Sequence, residues 1–212
     1  MRFLQLSIIT IACFGFTTKP VINNAASPLS QYSAEWDKPQ YLACNTAASV
    51  DYMNEEEKKV VYILNMARMN PQLFCRTVVK KFPVLAGKNS MVNSEYYRSL
   101  VKKLNSMKKL ELLQPDQKLY TSAQCHAYTS GVKGYVGHDR QDDSCGSKRY
   151  FNGECCDYGH NKAIDILMAL LVDEGVPSLG HRDICFSSYK TLAVSIQPHS
   201  QWSYNAVLDF HY

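Results

Sequence analysis

The chain has 212 residues, room for one globular domain plus an N-terminal extra but not for two full domains. Hydrophobic residues at 46% and charged residues at 20% lie near the globular average, so composition allows a sizeable core. A net charge of +4 without a dense basic stripe argues against a nucleic-acid binder.

The first segment, "MRFLQLSIITIACFGFTT", sets Arg2 before a mainly apolar run from Phe3 to Phe16. That run suits the apolar region of a signal peptide and is shorter than the roughly 20 residues of a membrane span. Residues 1–18 are therefore expected to be a signal peptide on a secreted protein with no membrane span. The alternatives are a buried N-terminal strand or helix, or a lipoprotein anchored through Cys13 of "TIAC". Eight cysteines behind an export signal suit an oxidising compartment. If Cys13 leaves with the signal, seven remain, and at least one thiol is unpaired within the chain.

Residues 19–53, rich in Pro, Ser, Asn and Ala without helical periodicity, read as a linker or irregular arm. Asn54 and Glu57 then make a capping-box start, and Val60, Ile63, Leu64 and Ala67 fall on one helical face. Asn70–Pro71 restarts a short second helix. A third pattern, about 94–108, points Tyr97, Leu100, Val101 and Leu104 inward; Arg98, Lys102, Lys103 and Lys108 form a solvated face rather than a lipid contact. Asp116 caps an expected fourth helix that Gly131 stops. The fifth is expected over 161–174, with Ile164, Leu167, Met168 and Leu171 on one stripe. "TLAVSIQ" alternates strictly, and "YNAVLDF" follows after a loop, so the two predict an antiparallel pair. Helices first and clear strands last argue for an α+β fold, with helices covering an antiparallel sheet.

Three glycine-bracketed polar residues recur: His138 in "GHDR", Glu154 in "NGEC" and His181 in "GHRD". A fourth polar group ends the fifth helix, where carbonyls disfavour acids, yet Asp173 and Glu174 stand there. Continuing the stripe by three places points Glu174 inward, and an inward carboxylate needs a cation, a donor or a metal. His126, His160, His199 and His211 have no partner pattern and read as structural or exposed. No Gly-x-Ser-x-Gly, P-loop or dinucleotide fingerprint is present.

"GHDR", "RYFNGEC", "DEG" and "GHRDI", preceded by "LNMAR" and followed by two strands, resemble the CAP superfamily. That superfamily holds the cysteine-rich secretory, antigen 5 and pathogenesis-related proteins; the closest echo is its bacterial-type Gly-His-Arg members. The likeness covers residues 54–212 and implies a three-layer α-β-α sandwich with a central antiparallel sheet. It implies a cleft lined by His138, Glu154, Glu174 (or Asp173, one place earlier) and His181. Asn65 and Arg68 match the first-helix motif, whose histidine is Leu64 here; Cys155 and Arg182 also depart from the pattern.

Two imidazoles and two carboxylates suit Zn²⁺ or another divalent cation, with His138 and His181 as the metal ligands. A metal-free hydrogen-bonded network is the alternative. The resemblance implies a cleft for a lipid, a sterol or other small apolar ligand, or an extracellular protein partner. The rival reading is a metal-dependent hydrolase of peptide or cell-wall material, with Glu154 or Glu174 as general base. Cys145, Cys155, Cys156 and Cys185 flank Glu154 and His181, so at least one disulfide is expected to tie this region together. A Cys–His nucleophile from Cys155 or Cys156 with His181 competes with that fate.

Overall fold

A computed structural model describes residues 26–212. The expected signal peptide, the Cys13 anchor and the first residues of the arm lie outside the described residues. From residue 26 onward the arm is irregular, as read, but it is no linker. Short 3₁₀ turns at Ala34–Asp37 and Pro39–Cys44 fold it onto the body, and Leu29, Trp36, Tyr41, Cys44 and Ala47 are buried. Trp36 packs edge-on against Tyr41 and Phe74, and its Nε1 donates to Thr77 Oγ1 at 3.0 Å. Residues 26–53 thus pack against the body that begins with the helix at residue 55. A search for helical or strand period has no purchase on a segment whose apolar residues are placed one by one by turns.

Helix α1 (Glu55–Met69) starts with the expected capping box of Asn54 and Glu57. It is buried on nearly every side from Val60 to Arg68, and so forms the centre of the main core. Next come α2 (Pro71–Phe74), a π turn over Cys75–Val79, α3 (Phe82–Leu85) and α4 (Glu95–Ser106). Tyr97, Leu100 and Leu104 of α4 face inward, with Val101 half-buried. After β1 (Gln114–Pro115), α5 spans Gln117–Lys133 and α6 spans Asp143–Gly146. The remaining elements are β2 (Gly153–Tyr158), α7 (Ala163–Val172), α8 (Gly180–Cys185), β3 (Thr191–His199) and β4 (Ser203–His211).

The fold is α+β, with strand order β1-β3-β4-β2. β3 and β4 form the expected antiparallel pair, and β2 joins β4 antiparallel, with Glu154 opposite Asp209. The sheet is nevertheless mixed, because β1 pairs parallel with β3 through Gln114 and Pro115. β2 was not expected as a strand. Its six residues "GECCDY" carry no alternation because both faces are covered, which removes the period-2 signal.

Alternation decides what each face meets. Val207 and Cys156 pack on Ala123 and Ala127 of α5, while Leu192, Val194, Leu208 and Cys155 join the core built around α1 and α7. Gly131 does not stop α5; Gly134, left-handed at φ 67°, does. Gly131 is instead a close-approach residue. A Cβ there would stand 2.0 Å from the Pro198 carbonyl oxygen, so only glycine lets the helix lie this near β3. Among the described residues no helix is long and apolar enough to cross a membrane.

Candidate functional site

The corner between α7 and α8 resolves the two adjacent acids. α7 ends at Val172, so the helical stripe never reaches Glu174, which is exposed and accepts a hydrogen bond from the Ser94 hydroxyl. Asp173 is the inward acid. It takes the left-handed conformation at φ 58°, which aspartate tolerates better than most residues. Its carboxylate accepts from the His181 backbone amide at 3.0 Å and from His181 Nδ1 at 2.7 Å. α8 has no side-chain cap of its own, since Leu179 stands at that position; Asp173 supplies the acceptor from the preceding helix.

Arg182 fixes the corner from below. Its buried guanidinium donates to the Leu171 and Val172 carbonyls at the end of α7 and to Ser99 Oγ and the Tyr96 carbonyl of α4. A cation on those carbonyls offsets the negative helix end that Asp173 would otherwise aggravate. Arg68 does the same for the far end of α8, donating to the Cys185 and Ser187 carbonyls. Asn65 binds both the amide and the carbonyl of Leu113. The two family-like residues of α1 therefore hold the scaffold and do not line the cleft.

His138 sits in the loop after α5. Gly137 before it has φ 138°, a conformation that side-chain-bearing residues rarely adopt, and a Cβ there would meet the Tyr135 hydroxyl at 2.7 Å, so the turn favours glycine. His138 Nδ1 lies 2.9 Å from Glu154 Oε1, and Arg140 Nη2 lies 2.7 Å from Glu154 Oε2. Burial alone would raise the Glu154 carboxyl, but hydrogen bonds from His138 and Arg140 and the Arg140 charge hold it down at about 2. The Glu154 hydrogen bond also raises His138. Across the strands Asp209 is fully buried, and burial together with the Glu154 charge pushes its carboxyl up.

The two halves meet over β2, the edge strand. The His138 and His181 rings stand 6.4 Å apart, centroid to centroid. Each Nδ1 faces a carboxylate, which leaves each Nε2 free of that bond. Carboxylates that orient imidazoles from behind are the usual second tier of a metal site, so the residues fit a divalent cation held by two Nε2 atoms. Asp173 and Glu154 then serve as orienting groups and not as direct ligands in this arrangement.

His181 and Asp173 line a cleft of about 690 Å³ together with Phe82, Met91, Leu170, Val176 and Trp202. Val136 and Trp202 remain half exposed at its mouth. A second acid–histidine pair, absent from the sequence reading, also faces it: His160 Nδ1 lies 3.0 Å from Asp157 Oδ2. Burial raises Asp157, and the bond from Asp157 raises His160. The Asp157-x-x-His160 spacing could have signalled the pair.

Two of the other histidines are structural. His126 is fully buried, with Nε2 3.0 Å from the Gly137 carbonyl and 3.9 Å from Glu154 Oε1. His199 closes β3, buried, accepting from the Gln201 and Trp202 amides. Among the cysteines, Cys145 pairs with Cys125, which was not among the candidates. Cys155, Cys156 and Cys185 are buried and have no disulfide partner among the described residues. Burial pushes the Cys155 and Cys156 thiols well up, which makes them poor nucleophiles. Cys155 Sγ points at the His181 carbonyl rather than its ring.

No family model, no curated protein and no solved structure matches this chain.

Proposed function

We propose that this chain is an exported CAP-domain protein whose cleft takes up an amphiphile with an apolar body, of the lipid or sterol class. The polar group of that ligand is held at the end lined by His181, either directly or through a divalent cation that His138, 6.4 Å away ring to ring, would share. The carrying observation is the cleft itself: about 690 Å³, walled by Phe82, Met91, Leu170, Val176 and Trp202, and ended by the His181–Asp173 pair. That volume is within the range of about 300–1,000 Å³ usual for small-molecule sites, as is an apolar wall with few placed polar groups. A bound cation would supply a Lewis acid for the ligand's polar group. The chain's own carboxylates fix the two rings so that Nε2 faces outward. CAP membership is supported by the order His138, Glu154, Asp173, His181 along the chain and by their convergence in space. An extracellular protein partner seated on Val136 and Trp202 is the alternative occupant.

The hydrolase reading has less support. Both Glu154 oxygens are engaged, by His138 and Arg140, and its low proton affinity makes it a weak base. Glu174 lies outside both acid–histidine pairs.

Native mass spectrometry of protein purified from the culture medium, with titration by a fluorescent sterol, tests the proposal. A co-purifying amphiphile is expected, and Met91→Trp, which fills the cleft, should weaken sterol binding at least tenfold, about 1.4 kcal/mol. Peptide turnover lost in His181→Ala, with no amphiphile bound, would overturn it in favour of the hydrolase.

A further inference from the structure

We propose that His126, Glu154 and Cys156 form a second cation site, behind the cleft wall, for a borderline-soft divalent metal of the zinc type. The site does not rest on the ligand proposed for the cleft. The donor atoms of His126, Glu154 and Cys156 all lie within 4.8 Å of one another, and all three residues are buried. A water would take the fourth position, while His138 Nδ1, 2.9 Å from Glu154 Oε1, keeps its bond to the carboxylate. Tetrahedral ligands at zinc distances stand about 3.3–3.8 Å apart, so small side-chain shifts would close the group around one ion. One nitrogen, one oxygen and one sulfur, with a fourth position for water, match zinc's preference.

A second observation points to a cation at this place. Asp209 is fully buried opposite Glu154, and neither of its oxygens has a hydrogen-bond partner among the described residues. Its nearest cation is Arg140, at 3.9 Å. A divalent ion beside Glu154 would supply the opposing charge that the ionised form of Asp209 needs in this buried place. With Glu154, Asp209 and the Cys156 thiolate set against Arg140 and the ion, the cluster is electrically neutral.

The local bonds permit loading. His126 donates through Nε2 to the Gly137 carbonyl and faces Ser130 Oγ with Nδ1 at 3.1 Å. A hydroxyl accepts as well as donates, so the imidazole proton can move to Nδ1 and free Nε2 for the metal. The Gly137 carbonyl keeps the Tyr158 hydroxyl as donor. The Cys156 thiol gives up its proton to solvent, and no electron is transferred. Cys156 also lines the cleft, which provides the route in.

Titration with Co²⁺, followed by absorption under anaerobic conditions, tests the site. The protein should develop a thiolate-to-cobalt charge-transfer band in the near ultraviolet. Cys156→Ser and His126→Gln should each lose that band, and His181→Ala, which leaves all three donors in place, should keep it. Cys156→Ser is nearly isosteric, so it stands as the decisive variant if His126→Gln fails to fold. Absence of the band in the unmodified protein, its persistence in Cys156→Ser, or its loss in His181→Ala would overturn the assignment.

Discussion

The acid–histidine pairs Asp173–His181 and Glu154–His138 solve one problem by different means. Asp173 is held by its own corner: backbone amides of α8 and the His181 ring, eight residues along the chain, satisfy it, and Arg182 neutralises the helix end. Glu154 is held by distant elements. Its partners are a loop histidine, Arg140 from the same loop, and a cross-strand neighbour, Asp209, that adds a like charge. The first pair is a capping device that also aims an imidazole. The second is a buried charge cluster balanced by one guanidinium.

That contrast predicts where the molecule is most fragile. Arg140→Met removes the only strong cation from two buried carboxylates and should destabilise the protein by about 3–5 kcal/mol, read by urea unfolding at pH 7. Equal stability of wild type and variant would mean that Glu154 and Asp209 are already neutral without it.

Acid titration sharpens the same half. The Glu154 carboxyl lies at about 2 in the folded chain and near 4.3 in an unfolded one, so its contribution is complete above about pH 4.5 and is lost as pH falls towards 2. At about 1.4 kcal/mol per unit this is roughly 3 kcal/mol. Asp157 and Asp209, raised by burial, act with the opposite sign, and their contribution grows on acidification. Comparing wild type with Glu154→Gln isolates the term: the gap in unfolding free energy should shrink by roughly 2–3 kcal/mol between pH 5 and pH 2. A constant gap would break the comparison.

For the other half the effect is smaller. Asp173→Ala strands two α8 amides and the His181 ring and should cost about 2 kcal/mol in thermal or denaturant unfolding. Asp173→Asn keeps an acceptor and the left-handed preference, and should recover most of that. Glu174→Gln should change stability by less than about 0.5 kcal/mol, because its contact is exposed. If Glu174→Gln proved the costlier change, the assignment of the inward acid would be reversed.

How much of this was legible in the sequence follows from the same contrast. Caps, stripes and the β3–β4 alternation are local, and they gave α1, α2, α4 and the hairpin. His138, Glu154 and His181 were found because glycine turns bracket them. The inward acid was displaced by one place because helical period was extended past Val172, where the chain turns left-handed instead. β2, His126, Arg140 and Asp209 could not be read in this way: they meet through sheet register and through a strand covered on both faces. Trp36 and its neighbours were missed for lack of any period at all.

The central claim is that both carboxylates sit behind their histidines and turn Nε2 of each ring outward. ¹⁵N-resolved NMR of the histidine side chains, at a pH where the rings are neutral, reads this directly. The expected result is the Nδ1–H tautomer for both His138 and His181, with Asp173→Ala abolishing that preference at His181 alone. Nε2–H tautomers at these two rings in the unmodified protein would contradict the claim.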